Sequence, residues 1–324
     1  DVALASRHLL EAGGKRLRPL ILLLSARAVD PSAEHRPGCA QLALAAELVH
    51  NATLLHDDVI DDSQTRRGRP TSRMVWGNAV SVLAGDFLLA RALELIDGAE
   101  GAMARGPALP GRDASLMIDG SGGANARALT LMLRVIRKMV EGEALQLDRR
   151  GKLDVREDLY RDIVDAKTAS LFEWCGHAGA LAGQGQPHAV DALGRYGFHL
   201  GRAFQIVDDI LDLSADAGAL GKDLLGDLRE GKLTLPVLLL LKQRPDLRAA
   251  LGDLAGMEDS PPEHARELGQ TIARAAANTG ALAQARAEAV AATRVACAAI
   301  ADLPSNGYRD ALVGIARELA ERGF

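Results

Sequence analysis

The chain has 324 residues, of which 48% are hydrophobic and 25% charged, so it contains enough apolar material for one large domain or two ordinary ones. Its net charge of −5 and its 3% of aromatic residues argue against a nucleic-acid-binding protein, which needs excess basic charge and stacking surfaces. Its 3 scattered cysteines argue against a disulfide framework, and with no bilayer-length apolar run and no visible signal peptide we expect a cytoplasmic protein.

Apolar residues recur at three- and four-residue spacing along almost the whole chain, which predicts helices rather than strands. No strand–helix alternation is present, and its absence disfavours a doubly wound α/β fold. The predicted helices are 15–28, 38–62, 72–98, 127–149, 155–183, 187–214, 232–242, 263–277, 280–302 and 307–322. We therefore expect an all-α fold in which residues 1–324 form a single domain.

The first predicted helix opens with the basic sequence GGKRLRP, residues 13–19. Glycines precede Lys15, Arg16 and Arg18 there, and the backbone N–H groups and dipole of a helix start favour anions. One Lys or Arg taken alone is more often a surface charge. The motif by itself is therefore only a candidate anion site.

The second predicted helix ends in the acidic sequence HDDVIDD, residues 56–62, within an otherwise apolar segment. Asp57, Asp58 and Asp61 form an Asp-Asp-x-x-Asp pattern, which places three carboxylates within about one helical turn. Carboxylate oxygens are the ligands that Mg²⁺ prefers, and substrate phosphates often complete its coordination. A single motif of this kind is as often an exposed acidic helix end as a metal site.

Residues 98–126 interrupt the helical pattern with a run rich in Gly, Ala and Pro. Such a composition predicts a flexible insertion rather than a helix. A second Gly- and Asp-rich stretch, residues 214–232, also interrupts the pattern. Because it directly follows another acidic motif, we interpret it as a candidate active-site loop.

That second acidic motif is QIVDDILD, residues 205–212, in which Asp208, Asp209 and Asp212 repeat the Asp-Asp-x-x-Asp pattern. Two copies in apolar helices predict a group of divalent cations that neutralises a diphosphate. The accompanying basic residues are Lys15, Arg16, Arg18, Arg66, Arg67, Lys167, Lys222 and Lys232. Such a set suits a site for two diphosphates, one bound through metals and the other directly by Lys and Arg.

Several motifs occur in the order found in the trans-isoprenyl diphosphate (polyprenyl) synthases, and the chain resembles that family from about Gly13 to its C-terminus. The motifs are GGKRLRP, LLHDDVIDDSQTRRGRPT, GDFLLARA, EGEALQL, AKTASLF and FQIVDDILD…GKDLLGDLREGKLTLP. The resemblance implies a bundle of long antiparallel helices around a central cavity, the isoprenoid synthase fold, and a homodimer. It also implies a Mg²⁺-dependent prenyltransferase that joins an allylic diphosphate to isopentenyl diphosphate, with about three ions in each active site.

The resemblance assigns roles to individual residues. Those implied to hold Mg²⁺ on the allylic diphosphate are Asp57, Asp58, Asp61, Asp208, Asp209 and Asp212. Those implied to contact the same diphosphate are Arg66, Lys167, Thr168, Gln205, Lys222 and Lys232. Those implied to hold isopentenyl diphosphate are Lys15, Arg18, His50 and Arg67. Loss of the diphosphate leaves an allylic cation, which Phe204 and the hydroxyl of Thr168 are placed to stabilise, although a plain core role fits Phe204 equally well.

In this family the residues four and five positions before the first motif aspartate shape the floor of the pocket. Here they are Thr53 and Ala52, both small, which implies an all-trans product longer than C20. We also expect the product to be handed to a membrane enzyme. The alternatives are a short-chain (C15–C20) synthase, a terpene cyclase and a non-catalytic subunit of a heteromeric synthase. A cyclase would need Asn, Ser and Glu in its second metal motif, and a non-catalytic subunit should have lost aspartates.

Overall fold

The structure, a computed structural model, describes residues 1–103, 123–213, 226–255 and 262–321. Regular structure in these ranges is helical except for one antiparallel pair of short strands, β1 (Thr65–Arg66) and β2 (Arg69–Pro70), with Thr65 opposite Pro70. The all-α fold predicted from the apolar periodicity is therefore confirmed. No helix in the described ranges is both long enough and apolar enough to cross a bilayer.

The helices follow one another along the chain. They are α1 (Val2–Glu11), α2 (Leu17–Val29), α3 (Pro37–Ile60), α4 (Ser72–Trp76), α5 (Asn78–Met103), α6 (Ala124–Arg149), α7 (Glu157–Val164), α8 (Ser170–Ala182), α9 (Pro187–Leu213), α10 (Gly226–Arg229), α11 (Leu235–Gln243), α12 (Arg248–Ala255), α13 (Pro262–Asn278), α14 (Ala281–Ala299) and α15 (Gly307–Glu321). Single turns of 3₁₀-helix lie at Ala33–His35 and Pro245–Leu247. One turn of π-helix, Asp165–Ala169, joins α7 to α8.

Several predicted boundaries are wrong for identifiable reasons. Helices α1, α10 and α12 were not predicted, and the predicted helix 72–98 is divided at Gly77, whose φ of +83° no continuing helix adopts. The predicted insertion at 98–126 is too long at both ends, because α5 continues to Met103 and α6 begins at Ala124. The rest of that insertion, residues 104–122, lies outside the described residues.

The candidate loop at 214–232 is likewise described only in part. Residues 214–225, which include Lys222, lie outside the described ranges. The remainder contains the short helix α10 and the turn that leads to Lys232.

The chain forms two compact units. The first takes its described residues from 1–133, 174–194 and 302–312, and the second from 134–173, 195–301 and 313–324. The assignment of residues 1–324 to a single domain remains a prediction.

In the first unit, α3 and α5 pack along each other through small buried side chains. Ala84 is fully buried, and a Cβ at the neighbouring Gly85 would lie 2.3 Å from Nε2 of His56. Pro37 begins α3 at a position where its missing N–H costs nothing, and Asp61 caps the other end. This packing fixes the end of α3, where the first acidic motif lies.

In the second unit, glycines on α9 let its backbone approach the preceding helical segments. A Cβ at Gly197 would lie 2.1 Å from the carbonyl oxygen of Phe172, and one at Gly201 would lie 2.7 Å from Cα of Ala169. Only hydrogen fits in these gaps. The π-helical turn is consequently held against the part of α9 that leads into the second acidic motif.

Candidate active site

The start of α2 is shaped by backbone conformations that favour glycine. Gly13 and Gly14 have φ values of +82° and +146°, and Arg16, which precedes α2, is itself left-handed with a φ of +49°. Nη1 of Arg67 donates to the carbonyl oxygen of Gly13, and a Cβ at Gly14 would lie 3.0 Å from that nitrogen. The turn thus brings Arg67 beside the GGKRLRP segment, with Lys15 exposed on it.

His50 lies half-buried on α3 among guanidinium groups. Burial, followed by the positive charges of Arg18, Arg67, Arg66 and Arg16, holds the pKa of His50 well below its ordinary value of 6.5. The pKa of Arg18 is itself lowered by burial. The structure therefore brings Arg18, His50, Arg66 and Arg67 together in a cationic cluster, and the imidazole within it is neutral at pH 7.

The first acidic motif lies at the end of α3, and its middle carboxylate is buried. Asp58 is 1% exposed, and Nε of Arg66 donates to its Oδ1 at 2.6 Å. Burial raises the pKa of Asp58, and the charge of Arg66 opposes that rise. Asp57 and Asp61 are half-buried, and the N–H of Asp61 donates to the carbonyl oxygen of Asp57 at 2.8 Å.

The middle carboxylate of the second motif, Asp209, is buried as well and accepts hydrogen bonds at both oxygens. Oδ2 accepts from the hydroxyl of Tyr160 at 2.6 Å and from the N–H of Leu235 at 3.3 Å, and Oδ1 accepts from Nε2 of Gln205 at 2.9 Å. Burial, then the charge of Asp227, raises the pKa of Asp209 to about 8.

The other two aspartates of this motif are more accessible. Burial and the charge of Asp227 raise the pKa of Asp212 to about 7, and its Oδ1 accepts from the N–H of Gly226 at 3.2 Å. Asp208 is exposed. Negative charge is therefore concentrated at the end of α9 and the start of α10.

The π-helical turn carries Lys167 and Thr168 toward groups of α6 and α9. Oγ1 of Thr168 donates to Oε1 of Gln205 at 2.8 Å, so Thr168, Gln205 and Asp209 form a continuous hydrogen-bonded chain. Lys167 forms an ion pair with Glu143 of α6. A Cβ at Gly142 would lie 2.7 Å from Cβ of Ala166, so this glycine permits the close approach.

The remaining predicted residues are less directly connected. Nζ of Lys232 donates to Oε2 of Glu230 at 2.7 Å. Oγ1 of Thr53 donates back to the carbonyl oxygen of His50 at 2.8 Å, whereas Ala52 is 1% exposed.

Within residues 1–103, 123–213, 226–255 and 262–321, no three carboxylate, imidazole or thiol groups lie close enough together to hold one ion. Asp58 and Asp209 instead take part in hydrogen bonds within the protein. The donor chemistry nevertheless suits a hard cation, because carboxylate oxygens are the ligands that such ions prefer, and a bound ion would offset the burial and the charge of Asp227 that raise the pKa values of Asp209 and Asp212. The metal-ligand role of the motif aspartates remains a prediction.

Sequence reasoning missed four residues that the structure places beside the predicted ones. They are Glu47, Glu143, Tyr160 and Asp227. Glu143 and Asp227 lie in the motifs EGEALQL and GKDLLGDLREGKLTLP, so a signal was present for them. Glu47 and Tyr160 lie in ordinary amphipathic patterns, and only the tertiary structure reveals their partners.

A family model described as Polyprenyl synthetase matches residues 2–272, which is more than half of the chain. The chain belongs to the polyprenyl synthetase family. The resemblance inferred from the ordered motifs is thereby confirmed, and with it the class of enzyme, a trans-prenyltransferase.

Three proteins similar to this polyprenyl synthetase agree with the assignment. The all-trans-nonaprenyl-diphosphate synthase (geranyl-diphosphate specific) of Rhodobacter capsulatus is 37% identical over 323 residues, 98% of this chain and 88% of the relative. The crystal structure of a decaprenyl diphosphate synthase from Rhodobacter capsulatus has a TM-score of 0.84 at 34% identity, covering 100% of this chain and 90% of that one. The crystal structure of a polyprenyl synthase from Caulobacter crescentus CB15, complexed with calcium and isoprenyl diphosphate, has a TM-score of 0.82 at 35% identity, covering 99% and 89%. The expected isoprenoid synthase fold is confirmed.

Proposed function

We propose that this polyprenyl synthetase condenses an allylic diphosphate, such as farnesyl or geranylgeranyl diphosphate, with isopentenyl diphosphate, head to tail. The observation that carries the proposal is the grouping of Arg18, Arg66 and Arg67 around half-buried His50, whose pKa is lowered by burial and then by their charges. So much positive charge in one half-buried place is stabilised by a polyanion, and a diphosphate has the matching charge.

The cluster is proposed to bind isopentenyl diphosphate. Arg18 and Arg67 supply fixed positive charge, and Lys15 adds a mobile one from the exposed turn. Neutral His50 supplies an N–H donor without needing to be protonated. A binding set of this kind holds the substrate that keeps its diphosphate throughout the reaction.

As the family resemblance implies, Arg66, Lys167, Thr168 and Gln205 are each proposed to contact the allylic diphosphate. Lys167 would neutralise charge as the C–O bond to the diphosphate breaks, and the chain from Thr168 to Gln205 would orient the leaving oxygens. The double bond of isopentenyl diphosphate then attacks the allylic cation, and a proton leaves to the released diphosphate. Lys232 and Lys222 are proposed to contact the same diphosphate.

Mg²⁺ held by the six motif aspartates, about three ions in each active site, would supply charge neutralisation at the leaving diphosphate. Burial and the charge of Asp227 raise the pKa of Asp209 to about 8 and that of Asp212 to about 7, so both carboxyl groups hold protons over part of the neutral range. A bound cation would displace those protons, so we expect metal binding to strengthen as the pH rises through about 7 to 8.

The product is proposed to be an all-trans-polyprenyl diphosphate longer than C20. Similarity to synthases named for nonaprenyl and decaprenyl products supports this length, as do the small side chains of Ala52 and Thr53. A terpene cyclase is disfavoured because the second motif keeps aspartate at Asp208, Asp209 and Asp212. A non-catalytic subunit is disfavoured because no motif aspartate has been lost.

We further propose that the protein acts as a cytoplasmic homodimer and passes its product to a membrane enzyme. The support for a dimer is the set of large apolar side chains that α5 exposes, Val82, Leu83 and Phe87. Light scattering coupled to size-exclusion chromatography measures the assembly directly. A monomeric mass for the wild-type protein would contradict this part of the proposal.

The reaction is tested by incubating the full chain with farnesyl diphosphate, labelled isopentenyl diphosphate and Mg²⁺. We expect labelled products longer than C20 by mass spectrometry. Asp57→Ala and Asp208→Ala should each lower turnover by orders of magnitude, whereas Asp191→Ala, an exposed aspartate on α9, should not. No extension by pure wild-type protein would favour the non-catalytic subunit.

A further inference from the structure

Arg16 is the cation of GGKRLRP to which the family resemblance assigns no substrate, and both terminal nitrogens of its guanidinium contact groups of the protein. Nη1 forms an ion pair with Oε1 of Glu47 on α3, and Nη2 donates to the carbonyl oxygen of Leu10 at 2.6 Å. Leu10 lies in the last turn of α1, where carbonyl oxygens lack partners within the helix. One side chain therefore ties the end of α1 and the middle of α3 to the residue that precedes α2.

Glu47 is built into this arrangement rather than lying on the surface. Its side chain is 9% exposed, and its Oε1 also accepts from Nδ2 of Asn51 at 2.9 Å. Nδ2 of Asn51 donates to the carbonyl oxygen of Glu47 as well, at 2.7 Å, so the opposite orientation of the amide would set oxygen against oxygen. A buried carboxylate with two such partners has a fixed position.

The position of Arg16 matters because of its backbone. A left-handed conformation costs a residue other than glycine about 1 kcal/mol, so the φ of +49° at Arg16 needs contacts that hold it. Lys15 directly precedes this residue, and Arg18 follows it in the first turn of α2. Whatever holds the backbone of Arg16 therefore also sets the direction of both side chains.

We propose that Glu47 is a positioning residue for isopentenyl diphosphate: through its ion pair with Arg16 it holds the turn that presents Lys15 and Arg18 to the diphosphate. The inference rests on the proposed function, because it deepens the site assigned there. Glu47 itself bears the same charge sign as the substrate and would repel it. Glu47 lies among Arg16, Arg18 and Arg67 because it orients the side chain of Arg16, not because it binds the substrate.

A charge effect and a positioning effect of Glu47 predict opposite changes in the affinity for isopentenyl diphosphate, and the variant Glu47→Gln distinguishes them. If Glu47 acted only through its charge, its removal would make the cluster more positive and tighten the binding of isopentenyl diphosphate. If it positions Arg16, the loss of a charge-assisted hydrogen bond should weaken binding about tenfold. We expect the dissociation constant measured by titration calorimetry, and the KM for isopentenyl diphosphate, to rise together, while kcat and the KM for farnesyl diphosphate stay unchanged.

A second variant, Arg16→Lys, decides the matter even if Glu47→Gln does not fold. Lysine keeps the positive charge but cannot bridge Glu47 and Leu10 simultaneously. A positioning role therefore predicts weaker binding of isopentenyl diphosphate, whereas a pure charge effect predicts unchanged binding. The two substitutions combined should be no worse than the more severe one, since both break the same link. Asp30→Asn, which removes the partner of Arg36 elsewhere in the first unit, serves as the ion-pair control and should bind as the wild type does.

Tighter or unchanged binding in Glu47→Gln, or unchanged binding in Arg16→Lys, would overturn the inference. So would additive effects, or equal losses for both substrates. Wild-type protein that binds isopentenyl diphosphate but extends no primer would overturn the proposed reaction alone, because the comparison of dissociation constants still decides the role of Glu47. Wild-type protein that does not bind isopentenyl diphosphate would overturn both.

Discussion

His50 shows how neighbouring charges set the state of a single side chain. Its low pKa keeps the imidazole neutral in the folded protein, whereas in the unfolded chain it takes up a proton near its ordinary value of 6.5. Below that pH the unfolded state binds more protons than the folded one. The stability that the neutral imidazole contributes is therefore present above about pH 6.5 and lost as the pH falls toward the folded pKa.

We predict that the stability of the variant His50→Gln depends less on pH than that of the wild-type protein. Between about pH 6.5 and 5 the melting temperature of the wild-type protein should fall more steeply than that of the variant, because glutamine takes up no proton. Thermal unfolding at constant ionic strength measures both slopes. His188→Gln, at an exposed histidine of α9, should keep the wild-type slope. Parallel curves for the wild type and His50→Gln would show that the imidazole is not held neutral.

Tyr160 is the second residue whose role depends on a buried partner. Its hydroxyl donates to Asp209 at 2.6 Å, and this bond opposes the burial that raises the pKa of Asp209 to about 8. The bond is strongest when the carboxyl group is ionised. Its contribution should therefore grow as the pH rises through the pKa of Asp209.

Tyr160→Phe is predicted to lower the free energy of unfolding by about 1 to 3 kcal/mol, with the larger loss at about pH 9 and the smaller at about pH 6. Urea denaturation at the two pH values measures the difference. Tyr308→Phe is the matched control, since that hydroxyl contacts Arg27 rather than a carboxylate, and its effect should be equal at both. A loss for Tyr160→Phe that does not change with pH would contradict the proposed link to Asp209.

At the scale of elements, the glycines of α9 determine how closely this helix approaches the π-helical turn. The contacts at Gly197 and Gly201 are to Phe172 and Ala169, which flank the residues of the predicted active site. The bidentate ion pair of Arg202 with Asp165 stabilises the same junction. The close approach is what allows the 2.8 Å hydrogen bond from Thr168 to Gln205.

Gly197→Ala is predicted to destabilise the protein, although alanine is normally the better helix former by about 1 kcal/mol. Its Cβ would lie 2.1 Å from the carbonyl oxygen of Phe172, so the helices must separate, at a cost of about 1 to 3 kcal/mol. Gly314→Ala in α15, where nothing lies within 4 Å of the added Cβ, should instead raise the melting temperature. Similar shifts for both variants, measured by differential scanning calorimetry, would contradict close packing at Gly197.

At the scale of the whole molecule, the sequence predicted the helices that have a long apolar periodicity and missed what depends on particular backbone angles. Helices α3 and α9 and the two acidic motifs were predictable because period and composition are local properties. The break at Gly77 was not, since it depends on a φ of +83° that the sequence does not specify, and neither was the π-helical turn at Lys167, which depends on how neighbouring helices pack. The partners of Arg16 and Asp209 come from distant parts of the chain, and one sequence holds no signal for such pairings.

Product length depends on the molecule as a whole, and a substitution at Ala52 tests what limits it. The side chain is buried in α3, five positions before Asp57, at the position that the sequence predicts to shape the floor of the pocket. We predict that Ala52→Phe shortens the product to C20 or less, because the added ring occupies space that a longer chain needs. Reversed-phase chromatography and mass spectrometry of the dephosphorylated products measure the length distribution.

Ala52→Phe also adds volume to a closely packed site. A direct effect of that volume on product length must therefore be distinguished from destabilisation of the fold. Overpacking costs about 1 to 3 kcal/mol, which lowers the melting temperature without by itself redirecting a product distribution. Ala52→Ser changes polarity at nearly constant volume and should keep the long product. If Ala52→Phe folds and still makes the wild-type product, residues other than Ala52 form the floor of the pocket. If Ala52→Ser shortens the product, the volume of the side chain is not the cause. Shortening by phenylalanine alone, with turnover of isopentenyl diphosphate maintained, requires that the growing chain extend past Ala52.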